Sequence, residues 1–227
     1  MSMNPNDNPQ AGGDLPPPPP PSHASSTPPS TTGFDLQSLI RQWQDILLKP
    51  SVATFDAQQP YANWQTVGIS LAILAVVRAI FDAITRLEYH LIGARAPSVG
   101  GLIGNFITTF VVFFIFAGIL YGIARAFNGT GSFALYAYLL ALFLVPLGIV
   151  SSIAGVIPLL GGLVAFAAGL YELYLTALAT ASAHRLTQGQ SWAVVAIAIV
   201  VGLVIALIVG IFLAALLLTV GLVLPGH

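Results

Sequence analysis

The sequence predicts an all-α integral membrane protein, a bundle of five transmembrane helices behind a disordered, Pro-rich N-terminal tail. Three observations carry that prediction. Hydrophobic residues make up 56% of the 227-residue chain and Asp, Glu, Lys and Arg only 7%, where a water-soluble chain holds about a quarter charged. The apolar residues are gathered into runs that match a bilayer, whose roughly 30 Å of hydrocarbon takes about 20 residues of helix to cross. The first 33 residues hold almost nothing apolar, so they cannot bury enough surface to offset the entropy of ordering them.

Within that tail, residues 1–33, the stretch LPPPPPPSHASSTPPS is the most biased. Pro16 to Pro21 favours polyproline II, the conformation that SH3-type and WW-type modules bind, so the run is either a docking peptide for a cytoplasmic protein partner or a solvated spacer. No secretory signal is expected, because the first apolar run of sufficient length begins near Val67. The start MSMNP lacks the glycine that myristoylation needs, and a chain without cysteine can be neither prenylated nor palmitoylated. Absence of cysteine also excludes disulfides and thiolate metal sites. A net charge of −1 with no basic cluster leaves nucleic acid without an electrostatic attractor.

Residues 34–60 read as a cytoplasmic amphipathic helix and linker. In FDLQSLIRQWQDILLKP, Asp35 is placed to cap a helix, Leu36, Leu39, Ile40, Trp43, Ile46 and Leu47 recur at helical spacing, and Lys49 and Pro50 end it. The apolar face has two outlets: the membrane interface, with Trp43 at headgroup depth, or another part of the same protein.

The membrane domain is expected over 61–227. Its first span, about 64–84, must include Arg78 and Asp82, since the uncharged stretch Val67 to Val77 is too short alone. The second covers 102–125. From Phe133 to Ala183 the only Asp, Glu, Lys, Arg or His is Glu172; one helix of that length would measure about 75 Å, so it must be two spans, 133–152 and 158–181. Gly155 and Pro158 mark the break, while Pro146 falls inside the third span and should kink it. The fifth span, 191–219, is overlong and must tilt or protrude. Near the span ends, Arg41, Lys49, Arg125 and Arg185 oppose Arg86 and Arg95, which favours a cytoplasmic N-terminus and an external C-terminus.

Helices in lipid associate through small residues and interhelical hydrogen bonds. Ala198, Gly202, Ala206, Gly210 and Ala214 form such a ridge at every fourth position of the fifth span; Gly118 and Gly122 in the second, and Gly161, Ala165 and Gly169 in the fourth, repeat the spacing. The ridges suit packing within one chain or a homodimer, and the oligomeric state stays open; their number favours internal packing.

The ionisable residues are the sharpest functional hint. Glu172, Thr176, Thr180 and His184 stack on one face of the fourth span, and Arg78, Asp82 and Arg86 on one face of the first. A charge at mid-span opposes insertion by about 2.5–3.5 kcal/mol, so Glu172 must be protonated or paired, with Arg78 the cation at comparable depth. Such a cluster either lines a proton, ion or substrate path or clamps two spans together; one acid and one ion pair are few for a path, which favours the clamp. Tyr171 and Tyr174 flank Glu172 as packing residues able to bond it, and His90 and His184 sit near span ends as interfacial side chains. No HExxH, GxSxG, paired acids, phosphate-cradling glycine loop or metal-ligand spacing is present, so no enzyme, cofactor or metal is expected.

Two stretches carry a resemblance. FNGTGSFALYAYLLALFLVPLGIVSSIAGVIPLLGGL (127–163) and YELYLTALATASAHRLTQGQSWAVVAIAI (171–199), with LLKPSVATFDAQQPYANW upstream, resemble prokaryotic-type members of the Yip family, five-span proteins named for interaction with Ypt/Rab GTPases. The shared points are the Gly-rich loop Asn128–Gly131, Pro146, the Ile157–Pro158 opening with Gly161, and Tyr171 and Tyr174 ahead of His184. The resemblance implies a non-catalytic helical membrane protein, associated in eukaryotes with vesicle traffic and membrane shaping. The acidic-Leu-Tyr-Gly-Pro motif of eukaryotic members has no counterpart here, so Rab binding is not implied.

Overall fold

In a computed structural model, residues 35–90 and 99–223 are described. The expected disordered tail and Arg95 lie outside these residues, and so does the side chain of Arg86. The described backbone is all helical: α1 (Leu36–Leu48), α2 (Val52–Gln58), a 3₁₀ turn (Gln59–Tyr61), then α3 (Trp64–His90), α4 (Val99–Ala126), α5 (Phe133–Ala154), α6 (Pro158–His184) and α7 (Gln188–Val223). Among the described residues five helices, α3 to α7, are long and apolar enough to cross a membrane.

Local chemistry fixes the helix ends. Asp35 caps α1, its carboxylate accepting from the Gln37 and Ser38 amides, and Ser51 caps α2 through the Thr54 amide. Asn63 accepts from the Thr66 amide at the start of α3. α4 ends on Asn128, in the left-handed region at φ 64°, where the Gly129 amide reaches back to the Ala124 carbonyl. α6 runs to His184 and stops at Arg185, also left-handed at φ 56°. α7 begins at Gln188, three residues before the sequence-based start. Thr187 and Gln190 form a reciprocal capping box there; that Thr-x-x-Gln signature is legible in the sequence and places the boundary.

α5 is the axis of the bundle. α3, α4 and α6 pack around it, α1 lies across its first half, α2 lies on α6, and α7 rests against α6 and α4. Tyr136 to Phe143 are all buried as a result. Pro146 is buried inside α5, which continues through it to Ala154. The turn between α5 and α6 is Gly155 to Ile157, where Gly161 lies against the backbone of Ala154 and Gly155.

Of the two outlets open to α1, the structure uses the protein. Leu39 and Ile46 are buried and Trp43 and Leu47 pack on the core, while Gln42 accepts a 2.9 Å bond from the Tyr138 hydroxyl. Phe55 of α2 stands edge-on to Phe143 of α5, with ring centroids 6.1 Å apart. Together α1 and α2 form an arm that clasps one end of the bundle.

Of the glycines in the small-residue ridges, Gly161 makes a close contact, a Cβ there lying 2.6 Å from the Gly155 Cα, and the others do not. A Cβ at Gly118, Gly122, Gly169, Gly202 or Gly210 would meet nothing within 4 Å; Ala165, Ala206 and Ala214 are exposed, whereas Ala198 is buried. The tight approach is at Gly148, where a Cβ would lie 2.9 Å from Leu74 of α3. The reason is the axis itself: its Tyr, Leu and Phe side chains set the spacing over most of the bundle, and between α3 and α5 glycine is needed at Gly148, below them.

Candidate functional site

Glu172 is placed by α6 one helical turn before Thr176, with Thr180 and His184 continuing the row. Three of the four are fully inward: Thr176, Thr180 and His184 are buried, while Glu172 is half-buried. The two threonines turn back on their own helix, Thr176 donating to the Glu172 carbonyl (2.6 Å) and Thr180 to the Thr176 carbonyl (2.7 Å). Thr180 also meets the Tyr136 hydroxyl of α5 at 2.7 Å. Within the row the Thr180–Tyr136 bond is therefore the one that ties α6 to α5, while the bonds to preceding carbonyls stay within α6. Thr180→Val is expected to lower stability by about 1 kcal/mol, the usual worth of such a bond, and Thr180→Ser to restore it, measured as thermal midpoints in detergent.

Glu172 and Arg78 meet across a cavity. Its volume is about 210 Å3 and its walls come from four helices: Leu74 and Arg78 of α3, Thr109 and Phe113 of α4, Leu144 of α5 and Glu172 of α6. Arg78 and Glu172 are both half-buried, yet the one ion pair among the described residues lies elsewhere. The expected Arg78–Glu172 clamp is thus not closed at salt-bridge distance; the two charges face one chamber. Asp82, one turn on from Arg78, is exposed and lies outside the chamber lining. A second cavity of about 440 Å3, apolar except for Glu172 and Thr176, opens between Phe116 of α4 and Ala165 to Leu173 of α6, and the two cavities share Phe116 and Glu172.

Two expectations are corrected. The Tyr171 hydroxyl donates to the Leu47 carbonyl at 2.7 Å, pinning the arm instead of bonding Glu172. His184 is no interfacial side chain: it is 1% exposed, set between Tyr136 and Tyr121 with centroids 4.8 and 5.5 Å away, and Gly129 and Gly131 of the α4–α5 loop close over it. The end of α6 is buried because that loop bonds to it, Thr130 donating to the His184 carbonyl.

A further polar knot was not anticipated. Asp56 of α2 accepts from Ser182 (2.6 Å) and Gln59 (2.9 Å), Gln59 also donates to Ser182, and Arg185 stands 3.9 Å from Asp56. It ties the arm to the end of α6, and its members are 126 positions apart for the Asp56–Ser182 bond, so no local pattern announces it.

A family model described as Yip1 domain matches residues 45–211. The chain belongs to the Yip1 domain family. Among curated proteins and among solved structures, no match is found. The Yip1 domain as matched takes in the end of α1, all of α2 to α6 and most of α7, so the arm's second helix and both cavities lie inside the family region. The α4–α5 loop that seals His184 is the same Gly-rich loop on which the family resemblance rests.

Proposed function

We propose that this Yip1-family protein is a non-enzymatic organiser of membrane or membrane-protein partners, seated in a prokaryotic cell membrane with its N-terminus in the cytoplasm and its C-terminus outside. The observation that carries the reading is the family match over most of a five-span chain together with an arm held against the bundle by neutral and charged hydrogen bonds. That arrangement gives the side assigned to the cytoplasm a fixed face, and the run Pro16 to Pro21 is the candidate docking peptide for a partner. The distribution of Arg41, Lys49, Arg125 and Arg185 against Arg86 and Arg95 supports the orientation.

A second reading, a small transporter or channel component, is favoured by the chamber that Arg78 and Glu172 share. Reconstitution separates the two. Purified protein in liposomes is expected to pass neither protons nor small cations above protein-free vesicles, and photo-crosslinkers placed in the tail of intact cells should give discrete protein adducts that disappear when residues 16–21 are replaced by a Gly-Ser spacer. A flux present in the natural protein and abolished in Glu172→Gln overturns the organiser reading.

A further inference from the structure

We propose that the paired cavities form a lateral binding site for one phospholipid with a zwitterionic, primary-amine headgroup. The phosphate is held by Arg78, the ammonium by Glu172, and an acyl chain lies in the apolar vestibule beside Phe116. This goes beyond the organiser reading and does not depend on it; it needs only the membrane-spanning fold.

The argument begins with charge. Arg78 and Glu172 line one chamber, and among the described residues neither side chain makes a hydrogen bond or an ion pair. Two opposite charges that are half-buried and held apart present a cation site and an anion site to the same space. Desolvating either alone is costly in lipid. A ligand carrying both signs satisfies them together, where a purely anionic headgroup would meet the Glu172 carboxylate and a purely cationic one the guanidinium. Arginine matches phosphate through its planar fork. A primary ammonium supplies donors to the carboxylate that a quaternary amine lacks.

Shape gives the second half. The chamber and the larger vestibule adjoin, with Glu172 and Phe116 in the walls of both. Phe166 and Leu170 in the vestibule wall, and Val112 at the chamber, are exposed side chains, so both cavities reach the surface that faces acyl chains. A polar solute would have no use for the apolar half, whereas an amphiphile fills both.

Native mass spectrometry of the full chain tests this. Protein extracted from vesicles of equal parts phosphatidylethanolamine, phosphatidylcholine and phosphatidylglycerol should carry one retained lipid, with ethanolamine favoured at least fivefold over the other two. Glu172→Gln should remove the preference over phosphatidylglycerol, and Arg78→Gln should lower retention of all three. Val112→Trp, at a position 56% exposed where a larger side chain folds readily, should block the chamber and lower ethanolamine retention at least fivefold with both charges intact. Retention in proportion to the bulk mixture, or a Val112→Trp protein that keeps the natural ratio, overturns the proposal. So does displacement of the lipid by millimolar soluble phosphoethanolamine, which would make the ligand a free solute.

Discussion

Phe55→Ala is expected to release the α1–α2 arm from the bundle. The ring is 0% exposed and stacks edge-on against Phe143, so its removal takes away both the transfer free energy of a buried aromatic and the filling of its cavity, about 3–5 kcal/mol together. The Asp56–Arg185 ion pair that remains cannot replace it. Asp56 and Arg185 stand 3.9 Å apart with side chains 36% and 65% exposed, and pairs so open to water contribute about 0–1 kcal/mol. The loss is therefore local: amides of residues 36–61 should exchange with deuterium far faster than in the natural protein, and trypsin should cut after Arg41, while α5 and α6 keep their protection. Unchanged exchange over the arm would show that the arm is held by something other than the Phe55 contact.

Gly131→Ala is the second large effect, and its cause is crowding. A Cβ at position 131 would stand on the carbonyl oxygen of Ala183 and 3.3 Å from the Nδ1 of His184. Backbone on both sides resists the shift, since Thr130 is bonded to the His184 carbonyl. Overpacking of this kind costs about 3 kcal/mol and should appear as a clear fall in the thermal midpoint in detergent. Gly118→Ala is the matched control. A Cβ there meets nothing within 4 Å, and alanine is the better helix former by about 1 kcal/mol, so its midpoint should stay level or rise. If both variants behaved alike, the difference between a sealed loop and an open helix face would be refuted.

The contrast between these glycines shows where sequence reading reaches and where it stops. Spacing picked out Gly118, Gly122, Gly202 and Gly210 because they repeat at every fourth residue, but periodicity names a face without saying what the face meets. Gly131 and Gly148 have no repeat yet carry tight contacts, whereas among the repeating glycines only Gly161 does. The long helices were legible because a bilayer imposes length and composition on any helix that crosses it, and α1 because Asp35 and Lys49 bracket a helical pattern. Which span is central was not legible. α5 and α7 are both nearly pure hydrocarbon in sequence, yet one is enclosed and the other largely exposed, since lipid and protein interior ask for the same side chains. The inward row from Glu172 to His184 followed from four-residue steps. Its hydrogen bonds did not, because a threonine in a helix has its own preceding carbonyl within reach, and the Asp56 knot joins residues with no sequence relation at all.

The enclosure of α5 has a consequence for how the chain is made. α5 leaves the ribosome before α6 does, so at the moment it enters the bilayer the wall that α6 will supply is missing, and Tyr136 and its neighbours have lipid or the insertion machinery where their final partner will stand. Threading of the third span therefore precedes its burial, and the mature packing is sealed from behind, by a hairpin that arrives later and brings Thr180 to the waiting tyrosine hydroxyl.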